Sequence, residues 1–105
     1  MAYTETELYA HVLAGYITEC LLGTKYEAEL KGKGVPLDDL DDLEETARNF
    51  NRSYPTYRGS KLGMAIGAMR TSIQPEEEEA FARAVQRAMK LLDVVQPKGI
   101  DYREY

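Results

Sequence analysis

The 105-residue sequence has few of the residues that most often carry chemistry or covalent structure. It contains one cysteine, Cys20, one histidine, His11, and no tryptophan. A single cysteine excludes an intrachain disulfide and a cysteine zinc site, and a single histidine excludes the paired Glu-x-x-His motifs of a di-iron bundle. His11 and Cys20 fall on opposite sides of one predicted helix, so they cannot form a nucleophile pair within it. We expect a buried, inert thiol and a solvated histidine.

Long apolar runs are also missing. No stretch approaches the ~18 consecutive apolar residues of a membrane span, and residues 1–7 have neither the basic region nor the apolar core of a signal peptide. We therefore expect a cytoplasmic protein that makes no use of a membrane. No glycine-rich phosphate loop is present, and no pair of titratable groups is placed for catalysis by spacing alone. The sequence predicts a protein that is not an enzyme and uses neither a metal nor a cofactor.

Apolar residues recur at helical spacing through most of the chain, and no segment alternates as a strand would. Thr4 and Glu7 fit a capping box at the start of the first helix, and Pro36 and Pro75 suit the first turns of later helices. The pattern predicts an all-α fold, a small bundle or orthogonal arrangement of four main helices at about 5–22, 37–52, 60–73 and 75–96.

Glycines divide the first part of the chain. Gly23 either ends or bends the first helix, and Tyr26 and Leu30 continue a four-residue spacing in a short helical or turn-rich piece that runs to Lys31. Residues 32–34 then stop this piece. The sequence predicts one helical domain over residues 1–99, followed by a short tail at 100–105.

The net charge of −5 is unevenly distributed along the chain. Acidic runs at 38–42 and 76–79 lie at predicted helix starts, where carboxylates complement the helix dipole, and we expect both to be solvated faces. Leu40 occupies a position where a calcium loop needs an oxygen ligand. Glu79 is placed to pair with Arg83. Between the acidic runs, residues 46–75 hold no acid and five cations, here called the basic island: Arg48, Arg52, Arg58, Lys61 and Arg70.

Part of the basic island resembles a helix-turn-helix motif over about twenty residues. Ala47 is the small residue that lets two helices approach, Asn51 takes the left-handed turn, and Ser53 caps the recognition helix. This resemblance implies that the residues after the turn face phosphates or base edges. Arg52 stands where the motif buries an apolar residue, and Gly59 falls inside the recognition helix, so the match is incomplete.

Tyrosine and arginine together are common anchors of protein interfaces. We therefore predict a small non-enzymatic protein-binding module, an adaptor or inhibitor of the kind that phages and mobile elements encode, whose partner is another protein or a second copy of the chain. A helix-turn-helix DNA-binding regulator is the alternative, with nucleic acid as its partner. A second alternative is an acidic DNA mimic that inhibits a host nuclease. The candidate contact residues are Arg52, Tyr54, Tyr57, Arg58, Lys61 and Arg70.

Overall fold

The computed structural model describes residues 2–56 and 58–95. All regular secondary structure within these two ranges is helical. The four predicted main helices are confirmed, and the short piece after Gly23 is a fifth helix. Tyr57 and the predicted tail at 100–105 lie outside the described residues. The elements are α1 (Glu5–Leu21), α2 (Glu27–Lys33), α3 (Leu40–Ser53), α4 (Arg58–Arg70), a 3₁₀ turn (Pro75–Glu77) and α5 (Glu78–Leu91).

The starts of α1 and α3 are set by side-chain caps. The predicted capping box is confirmed in α1, where the backbone N–H of Glu7 donates to Thr4 Oγ1 at 3.2 Å and that of Thr4 donates to Glu7 Oε1 at 3.0 Å. The start predicted for α3 at residue 37 is wrong. Asp39 accepts the backbone N–H of Asp42 at 3.0 Å, so the helix begins at Leu40.

Three helices end earlier than periodicity predicts. Helix α4, predicted at 60–73, begins at Arg58 and ends at Arg70, and the backbone geometry shows why the other two end early. Gly23 adopts a φ of 82°, and α1 ends before it, at Leu21. The end of α5 predicted at residue 96 is also wrong, because Asp93 adopts a φ of 55°. The backbone N–H of Val94 donates to the carbonyl of Met89 at 2.8 Å, and that of Asp93 donates to Lys90 at 3.3 Å. This is the Schellman arrangement, with aspartate at the position that usually holds glycine.

Replacing Asp93 by glycine is expected to raise the free energy of unfolding by about 1 kcal/mol, because glycine adopts a left-handed φ without steric cost. The side chain of Asp93 is 94% exposed and lies 4.0 Å from Arg58, so the loss of this ion pair contributes little. Asp93→Val is expected to lower the free energy by a similar amount, since a β-branched residue disfavours this conformation. Urea denaturation of the three proteins measures both differences, and equal stabilities would contradict the assignment.

Helix α1 is the central element of the fold. Its buried side chains span about two thirds of the helix circumference at 100° per residue, rather than a single narrow face, as expected for a helix that packs against several others. Helices α3, α4 and α5 each pack against it. Tyr9, Leu13 and Tyr16 of α1 are fully buried together with Leu62 of α4 and Phe81 of α5. No helix within 2–56 or 58–95 combines the length and apolar character needed to cross a membrane.

The direction of the packed helices follows from pairs of contacts. Arg83 Nε lies 2.5 Å from Glu5 Oε1, and one turn further along both helices the Arg87 guanidinium lies 4.1 Å from the ring centroid of Tyr9. Helix α5 therefore runs in the same direction as α1.

Helix α4 approaches α1 closely at Gly15. A Cβ built on Gly15 would lie 3.1 Å from the Cβ of Ala65. Gly63 of α4 is buried as well, as expected for helices that pack tightly through small residues. The small residue at this contact, Gly15, belongs to α1, and the sequence analysis gave it no role.

Candidate binding surface

The predicted contact residues lie in three places. Arg52 and Tyr54 are exposed at the end of α3, and Arg58 and Lys61 are half-buried in the first turns of α4. Arg70 is exposed at the other end of α4, about 18 Å from Arg58 along the helix axis at 1.5 Å per residue. The fold therefore divides the basic island between the two ends of α4. Tyr57 lies outside the described residues.

The turn residues assigned to a helix-turn-helix motif are wrong. Asn51 lies within α3 instead of at a left-handed turn, and Ser53 is the last residue of α3 instead of the cap of the next helix. The chain turns later, at residues 54–56. Helices α3 and α4 each pack on α1, and neither assigned turn residue occupies the place that the motif gives it.

Arg58 joins three parts of the fold. Its Nη1 donates to Asn51 Oδ1 of α3 at 3.4 Å, and its Nη2 lies 4.0 Å from Asp93 Oδ2 after α5. The guanidinium is thus held across the ends of α3 and α5. These contacts place Arg58 between the two helix ends, and the contact role predicted for it stays a prediction.

Tyr54 has an aromatic neighbour on α3. Its ring stacks on Phe50, with centroids 6.2 Å apart and planes inclined by 17°, and 39% of Tyr54 is exposed. The guanidinium of Arg52 donates to Asn49 Oδ1 on the preceding turn. The end of α3 therefore presents an aromatic surface with an adjacent cation, the combination that is enriched at protein interfaces.

Phe50 also forms one wall of a groove of about 440 Å³, called here the α2–α3 groove. Tyr26 stands at its edge, 48% exposed, with Lys25 Nζ 5.0 Å from its ring centroid. The groove is mainly apolar. Its lining consists of Ile17, Leu21, Tyr26, Glu29, Leu30, Lys33, Gly34, Val35, Pro36, Thr46 and Phe50.

Sequence reasoning did not identify the α2–α3 groove. Neither Phe50 nor Tyr26 was among the predicted contact residues. The feature of the sequence that could have indicated the groove is the four-residue spacing of Tyr26 and Leu30. The segment that holds them is too short to bury both side chains by itself. Helix α2 has no fully buried residue, which leaves its apolar side chains half-covered along the groove.

Tyr9 and Cys20 have displaced acidities that follow from their burial in the core. The Tyr9 hydroxyl donates to Glu44 Oε2 at 2.5 Å, and burial, then this carboxylate, raise the pKa of Tyr9 above its ordinary value. Burial also raises the pKa of the Cys20 thiol, which keeps it protonated and unreactive. The predicted buried thiol is confirmed.

Tyr16 has a buried hydroxyl with no hydrogen-bond partner in the described parts of the chain. Burial raises its pKa, and the Cys20 thiol one turn away adds to the shift. A thiol is only a weak acceptor. The buried hydroxyl of Tyr16 therefore has no strong hydrogen-bond partner, and this lowers the free energy of unfolding.

His11 and Glu77 differ from expectation. The histidine predicted to be solvated is half-buried, with its ring centroid 5.3 Å from that of Tyr3. Glu77, predicted to belong to a solvated acidic face, is only 3% exposed. The predicted Glu79–Arg83 pair is confirmed at 3.7 Å. Within residues 2–56 and 58–95, no group of three or more histidine, cysteine or acidic side chains is placed to hold a metal ion.

The chain was also compared with known proteins. No protein-family model, curated protein or solved structure matches it.

Proposed function

We propose that this chain is a non-enzymatic protein-binding module, whose partner presents an acidic segment with apolar side chains at helical spacing. The observation that carries the proposal is the position of Phe50. Its ring lines the α2–α3 groove and also stacks on the exposed Tyr54. Groove and aromatic pair therefore form one continuous apolar surface, of the kind that receives the apolar face of a partner helix.

Charges around this surface favour an acidic partner. Lys33 lines the groove, Lys25 lies over the ring of Tyr26, and Arg52 is exposed two residues after Phe50. Among the lining residues, Glu29 is the single carboxylate. An apolar centre with a largely cationic rim is complementary to a helix with apolar residues on one face and carboxylates beside them.

The carboxylates with a lowered pKa also favour binding over catalysis as the function of the proposed surface. The pKa of Glu7 is lowered by its capping hydrogen bonds with Thr4. The backbone N–H of Gly23 lowers the pKa of Glu27, and those of Tyr3 and Gln74 lower that of Glu77. Each shift has a structural cause at a turn or a helix start. None of these three carboxylates lines the α2–α3 groove, so their shifts give no support to acid–base chemistry at the proposed surface.

Selection of displayed helical peptides against the wild-type protein tests the proposal. We expect enrichment of sequences with Asp or Glu beside apolar residues at i, i+3, i+4 and i+7. Tyr54→Ala is expected to weaken a selected peptide by about tenfold or more, as for an aromatic anchor. Arg52→Glu is expected to slow association and to reduce its dependence on salt concentration.

Two matched substitutions control for general effects. Met64→Ala removes an exposed side chain from α4, and Lys90→Glu reverses a charge in the last turn of α5, just as Arg52→Glu does in α3. Both are expected to retain peptide affinity. Failure to select a peptide that depends on Tyr54 or Arg52 would contradict the proposal. Salt-sensitive binding of duplex DNA that Arg52→Glu abolishes, without peptide binding, would favour the nucleic-acid alternative.

A further inference from the structure

A second concave site lies between α1, α4 and the 3₁₀ turn, and shares no residue with the α2–α3 groove. It is a cleft of about 320 Å³, within the range of sites that hold small ligands. Leu8, Ala68, Met69 and Ile73 make most of its wall apolar, and its polar lining residues are Tyr3, His11, Ser72 and Glu77.

Glu77 places a buried negative charge in this apolar cleft. The backbone N–H of Tyr3 donates to Oε2 at 2.6 Å, and that of Gln74 donates to Oε1 at 3.0 Å. These two bonds lower the pKa of Glu77 and keep it ionised at neutral pH. A carboxylate has about four acceptor positions, so two bonds leave capacity for a further donor.

Glu77 is unusual among capping carboxylates because it is buried, as Glu7 shows by contrast. Both carboxylates complete a capping box, Glu7 at the start of α1 and Glu77 at the 3₁₀ turn. Glu7 is exposed, as capping carboxylates usually are, whereas Glu77 is buried beside the apolar wall of the cleft. Capping alone therefore explains the presence of a glutamate but does not require this burial.

Two aromatic rings, those of Tyr3 and His11, also line the cleft. Tyr3 is 51% exposed, and its ring packs against His11 at a tilt of 57°. The face of a tyrosine ring attracts cations. A ligand in the cleft thus meets an apolar wall, one aromatic face and one buried carboxylate.

We propose that this cleft binds a small organic cation, an ammonium group carried on an apolar body. The ammonium group lies at Glu77, and the apolar body packs against Leu8, Met69 and Ile73. The buried carboxylate disfavours anions of the same size, because they would place a second negative charge beside the ionised Glu77. The proposal is independent of the protein-binding surface described above.

Titration of the isotope-labelled protein with phenethylammonium tests the site by NMR. We expect saturable shifts at Tyr3, His11 and the Met69 methyl group, and no saturable shifts with phenylacetate, which has the same ring and the opposite charge. Glu77→Gln is expected to weaken phenethylammonium by about tenfold or more, the usual effect of losing a hydrogen bond to a charged group. Glu79→Gln removes a nearby exposed carboxylate and is expected to leave the affinity unchanged.

Met69→Trp provides a test that leaves Glu77 in place, because the larger side chain fills the cleft. It is expected to abolish the shifts while the circular dichroism spectrum stays helical. Absence of saturable shifts in the wild type would overturn the proposal, as would equal binding of phenylacetate. Retained affinity in a folded Glu77→Gln variant would overturn it too, and loss of peptide binding at the α2–α3 groove would not affect it.

Discussion

Replacing Leu13 by alanine is expected to lower the free energy of unfolding by about 3–5 kcal/mol. Leu13 is fully buried in α1, the helix on which α3, α4 and α5 all pack. The substitution removes a large apolar side chain and leaves a cavity that three packed helices cannot readily close. Urea denaturation followed by far-UV circular dichroism measures the loss.

The control for this experiment is Met64→Ala. Met64 is also apolar and helical, but it is 56% exposed on α4, so its removal is expected to change the free energy by less than about 0.5 kcal/mol. A loss below about 1 kcal/mol for Leu13→Ala would contradict the central position of α1.

Replacing Gly15 by leucine is expected to destabilise the protein by about 2–3 kcal/mol, the usual cost of overpacking a tight interface. A Cβ at this position already lies 3.1 Å from the Ala65 Cβ, and the rest of a leucine side chain would separate α1 from α4. Removing the Ala65 methyl group with Ala65→Gly is expected to recover part of the loss, which a double-mutant cycle measures as coupling.

Gly32→Leu makes the same chemical change in α2, where nothing lies within 4 Å of the added Cβ. It is expected to raise the free energy of unfolding by about 0.5–1 kcal/mol, because leucine favours a helix over glycine. Equal effects at Gly15 and Gly32 would show that helix propensity, rather than the α1–α4 contact, governs both positions.

Local patterns in the sequence were sufficient to predict the helices. The four-residue spacing of apolar side chains identified the main helices, and Thr4 with Glu7 marked the first helix start. The early end of α5 was not predictable, because aspartate is rare at the left-handed position that Asp93 occupies. The start of α3 was misplaced because proline suggested a first turn three residues before Asp39 capped the helix.

The candidate sites depended on tertiary contacts that no local pattern reports. Phe50 lines a surface because α2 leaves one side of its ring uncovered, and Tyr54 extends this surface by stacking on Phe50. Glu77 is buried in a place where the backbone N–H of Tyr3, 74 residues earlier in the chain, donates to its carboxylate. The basic island was correctly identified as a stretch of sequence without acidic residues. The length of α4 nevertheless separates Arg58 from Arg70, so the cations of the island do not form one surface.

The measurement that tests the functional account most directly is an amide chemical-shift titration of the labelled protein with the tightest selected acidic peptide. If the α2–α3 groove binds the peptide, we expect the largest amide shifts at residues that line or adjoin the groove, namely Leu30, Val35, Thr46, Phe50 and Tyr54. Intermolecular contacts from the peptide's apolar side chains to the rings of Phe50 and Tyr54 are expected alongside these shifts. Shifts confined to α5 or to the Arg70 end of α4, with the groove unchanged, would contradict it.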